Sequence, residues 1–127
     1  ALVVEDDDAI REVARHGLET LGYRTLAVGD GAAAFAALEQ HGDSVDVVLS
    51  DLVMPGIDGT RLAREVRTRW PGVRIVLMTG FAPDHDSGER LAAGIAACLH
   101  KPFTMSELAR TLAHVLAEPV PPLPSDG

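Results

Sequence analysis

The chain has 127 residues, 46% hydrophobic and 24% charged, with a net charge of −8 and a single cysteine, Cys98. This is the composition of one soluble globular domain; it excludes a disordered, collagen-like or fibrous chain, and the lone cysteine excludes an internal disulfide. The negative charge disfavours generic binding to nucleic acid phosphates or an anionic membrane, and no apolar run approaches the ~20 residues that span a bilayer.

Leu2-Val3-Val4 reads as a first strand. Ile10, Val13, Ala14, Leu18 and Leu21 then recur at helical spacing and predict a first amphipathic helix. Tyr23 to Val28 is a second strand, and Asp30-Gly31 signals the start of an Ala-rich helix over Ala32 to Leu38. Val45 to Leu49 is a third, nearly all-apolar strand. Leu62, Val66 and Trp70 mark a helix that stops before Pro71-Gly72, and Val73 to Met78 is a fourth strand. A polar loop, Ala82 to Gly88, leads into a short helix around Glu89 to Ala93. Ala96 to His100 is the fifth strand, and Met105, Leu108, Leu112, Val115 and Leu116 line the last helix. Asp86 with Glu89, and Thr104 with Glu107, have the spacing of capping boxes.

Five βα repeats with strands apolar on both faces predict a parallel sheet covered on both sides. The first residue is Ala, so the chain is expected to be a module cut from something longer. Residues 1–117 are read as one domain, and 118–127, with four of the eight prolines, as a linker or tail.

In such a sheet, ligands bind beyond the carboxyl ends of the strands. Glu5 to Asp8 follow the first strand, Asp51 the third, Thr79-Gly80 the fourth and Lys101-Pro102-Phe103 the fifth. The tips therefore gather several carboxylates, a hydroxyl and an ammonium. Clustered carboxylates either shift a pKa or take up a cation, and an oxygen-only set suits Mg²⁺. A nucleophilic carboxylate, a metal and donors for phosphoryl oxygens are the parts that phosphoryl transfer requires.

Four stretches, in this order, resemble the receiver domains of two-component signalling found in response regulators and hybrid histidine kinases. They are Val3-Val4-Glu5-Asp6-Asp7, Ser50-Asp51-Leu52-Val53-Met54-Pro55-Gly56-Ile57-Asp58-Gly59, Leu77-Met78-Thr79-Gly80 and Lys101-Pro102-Phe103. The resemblance implies a three-layer α/β/α sandwich with flavodoxin-like strand order 2-1-3-4-5. It implies that Asp51 is the phosphoacceptor for a phosphoryl group from a histidine kinase or histidine phosphotransfer protein, and that the domain is a conformational switch rather than an enzyme. It further implies that Asp6, Asp51 and the backbone carbonyl of Val53 hold Mg²⁺, with Glu5 acting through water. Thr79 is the expected switch hydroxyl, Lys101 the expected phosphoryl contact, and the Lys101–Pro102 bond is expected to be cis.

Three positions depart from the family pattern. Cys98 stands where relatives often carry a rotating aromatic ring, and Val53 and Phe81 are apolar where some relatives carry polar side chains that guide water. A phosphatase resembling the haloacid dehalogenase family would need a second Asp two residues after the nucleophile, and Val53 argues against it. A degenerate receiver that only binds partners is opposed by Asp6, Asp51, Thr79 and Lys101 together. Asp84-His85-Asp86 reads better as a loop with a helix cap than as a metal cluster, and Arg61, Arg64, Arg67 and Arg69 as a solvated basic helix side. The expected setting is the cytoplasm, with no membrane insertion and no direct nucleic acid contact. The chain is expected to be a stand-alone regulator or, by preference, the C-terminal receiver of a hybrid kinase. A homodimer would use the face of strand five and the last helix.

Overall fold

The computed structural model describes residues 1–51, 59–79 and 95–117. Among these, the strands are β1 (Leu2–Val4), β2 (Leu26–Val28), β3 (Val47–Asp51), β4 (Arg74–Thr79) and β5 (Ala97–His100). The helices are α1 (Asp8–Thr20), α2 (Gly31–His41), α3 (Gly59–Arg69) and α4 (Met105–Ala117), with a 3₁₀ turn at Gly42–Ser44. The expected short helix around Glu89 to Ala93, the cap at Asp86, the cluster Asp84-His85-Asp86, and Val53, Phe81 and 118–127 lie outside the described residues.

All strands pair in parallel in the order β2-β1-β3-β4-β5, as expected. Successive side chains of a strand face opposite sides of the sheet, and both faces are filled here. Leu2, Val4, Val48, Ile75 and Leu77 pack with Ala34 and Leu38 of α2 and Leu62 and Val66 of α3. Val3, Val47, Leu49, Val76 and Met78 pack with Ala14 and Leu18 of α1 and Leu108, Leu112 and Val115 of α4. Strands buried on both faces explain the continuous apolar runs of the sequence.

The helix starts follow their chemistry. The Asp7 carboxylate accepts from the Ile10 amide and caps α1, and Asp30 accepts from Ala33 and caps α2. At α4 the capping box is reciprocal: the Glu107 amide donates to Thr104 Oγ1 and the Thr104 amide to Glu107 Oε1, each at 3.1 Å.

The fourth strand is Arg74–Thr79 rather than Val73 to Met78, the fifth begins at Ala97 rather than Ala96, and three further local expectations shift. β2 begins at Leu26 rather than Tyr23, because the Tyr23 amide closes the end of α1 on the Leu18 carbonyl and Thr25 Oγ1 donates back to the Tyr23 carbonyl. β3 begins at Val47 and includes Asp51, because the Val45 amide is taken by Gly42 at the end of the 3₁₀ turn. Val13 belongs to the outer surface of α1 and is 64% exposed, while Gly17 faces inward. A Cβ on Gly17 would come within 2.9 Å of Met105 Sδ, so a side chain there would require Met105 of α4 to shift.

Candidate functional site

The strand order reverses direction between β1 and β3, and the crevice beyond their carboxyl ends is where such sheets bind ligands. The register pairs Val4 with Ser50, so Glu5 and Asp51 leave the two strands side by side. Asp51 pairs in turn with Met78, one residue before Thr79, and Thr79 pairs with His100, one residue before Lys101. Residues far apart in sequence thus meet at one edge because the pairing is in step across four strands.

Glu5 lies at the bottom of this crevice with 1% of its side chain exposed. Lys101 Nζ bridges the acids, 2.6 Å from Glu5 Oε1 and 3.1 Å from Asp51 Oδ1. Glu5 Oε2 accepts from the Asp7 amide at 3.3 Å. Burial pushes the Glu5 carboxyl above its ordinary pKa, reinforced by the neighbouring Asp51 charge and opposed by the bonds from Lys101 and the Asp7 amide. Burial works to lower the Lys101 pKa, but the bonds to Glu5 and Asp51 outweigh it and the ammonium is held above its ordinary value. The lysine is therefore fixed as a cation at the mouth of an acidic crevice.

Oxygens of Glu5, Asp6 and Asp51 all lie within 4.8 Å of one another, with Asp6 on the exposed side. The donor set is oxygen only, without thiol or imidazole, and it carries more negative charge than one lysine offsets. Both properties fit a hard divalent cation. Both oxygens of Glu5 are engaged by Lys101 and the Asp7 amide, whereas Asp6 stands at the solvent side. Thr79 is 2% exposed, and its carbonyl accepts from the Lys101 amide at 2.7 Å. The Lys101–Pro102 peptide is cis, as the sequence resemblance implied.

Comparison with known proteins shows the family. The family described as the response regulator receiver domain matches residues 1–113. The chain belongs to the response regulator receiver domain family. This receiver domain is 36% identical over 115 residues to the sensor kinase CckA of Brucella abortus, covering 91% of the chain and 12% of that protein. It is 34% identical over 126 residues to the response regulator protein FleR of Pseudomonas aeruginosa, covering 99% of the chain and 26% of that protein. The chain thus spans only a minor part of these relatives. Among solved structures, the chemotaxis protein CheY4 of Vibrio cholerae superposes with a TM-score of 0.84 at 30% identity, over 90% of this chain and 95% of that one. The chain is accordingly a module of two-component signalling with a CheY-like fold.

Two features of the receiver domain were not read from the sequence. A depression of about 410 Å³ beside Lys101 is lined by Ala9, Ile10 and Val13 of α1 and by Pro102 and Phe103. Its signal was present in the second apolar stripe of α1, which the helical period had merged with the core stripe. The other is Arg11, whose side chain reaches back over the acidic turn. Its three-residue spacing from Asp8 is that of a helical acid–base pair. Of the basic side read for α3, Arg69 pairs with Glu39 and Arg61 with Glu65, while Arg67, expected to be solvated, is 3% exposed. Among the described residues, no helix is long and apolar enough to cross a membrane.

Proposed function

We propose that this receiver domain takes a phosphoryl group onto Asp51 from a histidine kinase or histidine phosphotransfer protein and thereby switches between two conformational populations in the cytoplasm. The observation that carries this reading is the Lys101 ammonium bridging Glu5 and Asp51 at the tip of β3, with Asp6 beside them. In the transfer, a carboxylate oxygen of Asp51 bonds to phosphorus as the bond from phosphorus to the donor's imidazole nitrogen breaks. Asp51, at 13% exposure, is open enough for the donor yet shielded from bulk water. Lys101, held protonated by its neighbours, supplies positive charge for the incoming phosphoryl oxygens, and Thr79 on the adjacent strand supplies a hydroxyl. Asp6 and Asp51, with the Val53 carbonyl implied by the family, would hold Mg²⁺, and Glu5 would act on it through water. When bound, Mg²⁺ supplies compensating charge for the carboxylates and the phosphoryl oxygens. The apolar depression beside Lys101 suits the side of a donor helix next to its phosphohistidine, which would set the donor over Asp51. We take residues 1–117 as the switch and 118–127 as a linker or tail.

Incubation with acetyl phosphate and Mg²⁺ tests the assignment. Intact mass should rise by one phosphoryl group in the wild type and not in Asp51→Asn; a persisting rise in the variant would place the acceptor elsewhere.

A further inference from the structure

We propose that Arg11 is a positioning residue that locks the β1–α1 turn carrying Glu5 and Asp6, an inference that rests on the Mg²⁺ reading for its functional consequence. Arg11 Nη1 donates to the Glu5 carbonyl at 3.0 Å, and Nη2 pairs with the Asp8 carboxylate. The side chain is 24% exposed although it starts from the first turns of a surface helix. It leans over the end of β2 as well, because a Cβ on Gly29 would stand 3.3 Å from Nη1. Gly29 thus leaves room for the guanidinium between two strand tips.

This bond completes the fixation of Glu5. Its amide donates to the Val28 carbonyl at 3.1 Å, its carbonyl accepts from Arg11, and its two carboxylate oxygens accept from Lys101 and the Asp7 amide. Every polar atom of Glu5 is engaged, and Asp7 is itself tied down as the α1 cap. Asp6 sits between these two anchored residues. Its exposed carboxylate is therefore presented from a fixed backbone. Partners that orient a ligand without touching the metal commonly control affinity through such fixation.

Charge and positioning predict opposite signs. A guanidinium beside carboxylates repels an incoming divalent cation, so if Arg11 acted by charge alone its removal would tighten Mg²⁺ binding. If Arg11 acts by holding the turn, its removal weakens binding, because the ligands must then be ordered when the ion arrives.

The test is calorimetric titration of Mg²⁺ into wild type, Arg11→Met, Arg11→Lys and Asp8→Asn, with Asp6→Ala as the control, alongside amide exchange at residues 5–8 in metal-free protein. Arg11→Met should raise the Mg²⁺ Kd on the order of tenfold and speed exchange of the Asp7 amide. Arg11→Lys keeps the charge but not the two-pronged reach, and should fall nearer to Arg11→Met than to wild type. Asp8→Asn should weaken binding less, and with Arg11→Lys it carries the test should Arg11→Met fail to fold. Unchanged or tighter Mg²⁺ binding in the Arg11 variants would overturn the proposal. Absence of Mg²⁺ binding to the wild type would instead overturn the metal reading; the exchange data would then decide on Arg11 alone, unchanged exchange at Asp7 refuting it.

Discussion

The two ends of the sheet handle charge in opposite ways. At the carboxyl ends, Glu5, Asp6 and Asp51 crowd within 4.8 Å around one lysine, and one of the acids is almost fully buried. At the other end, Arg69 pairs with Glu39 at 2.9 Å and stacks over Phe35 and Trp70, its guanidinium 5.6 Å and 4.5 Å from the ring centroids. Trp70 in turn presses on Gly42, where a Cβ would stand 2.5 Å from its indole nitrogen. The second cluster is balanced: one cation and one anion, both exposed, and two partly buried aromatic faces. The first carries unmatched negative charge in a crevice. Charges left in conflict inside a fold are where a ligand finds its free energy; charges already satisfied are where the fold finds its own.

The contrast is open to direct attack. Lys101→Met removes the only cation bonded to the side-chain carboxylates of Glu5 and Asp51 among the described residues. Breaking one side of a buried pair costs about 3–5 kcal/mol; with 20% of Lys101 exposed, the lower end, about 3 kcal/mol, is expected in metal-free protein by urea denaturation. Arg69→Met breaks an exposed pair and two ring contacts, and should cost only about 1 kcal/mol by the same measurement. Equal losses would erase the distinction between the two ends.

Saturating Mg²⁺ should stabilise the domain next most strongly. Binding to the native state alone contributes RT ln(1 + [L]/Kd), about 2.7 kcal/mol at a hundredfold excess over Kd. Thermal melts should show a higher Tm with millimolar Mg²⁺ in the wild type and no rise in Asp6→Ala. The smallest effect belongs to the far cluster. Trp70 follows α3 and precedes β4, at the amino ends of the strands, so its fluorescence should change little on Mg²⁺ addition. Strong quenching would mean that the two ends are coupled.

Much of this was legible in the chain. The alternation of apolar runs and helical stripes is a local property, as are the caps at Asp30 and Thr104, and each appears where the spacing placed it. The motif residues at the strand tips were legible because parallel βα units deliver every strand's carboxyl end to the same edge. The reading faltered where a residue's neighbour lies far along the chain. Val13 has the period of a core position, yet the space beneath α1 is occupied by Met105 and Leu108 of α4, which face Gly17.

The acidic run shows the division most clearly. From the sequence alone, Glu5, Asp6, Asp7 and Asp8 are four carboxylates in a row, and their position after an apolar strand determines that acids crowd the sheet edge. Only the tertiary structure divides their work. Glu5 is buried on Lys101, Asp6 faces out beside Asp51, Asp7 caps α1, and Asp8 pairs with Arg11. The reason is physical: hydrophobic period and capping are decided by residues within a few positions, whereas burial and pairing of a charge are decided by whatever the fold brings against it. For Glu5 that partner is 96 residues away.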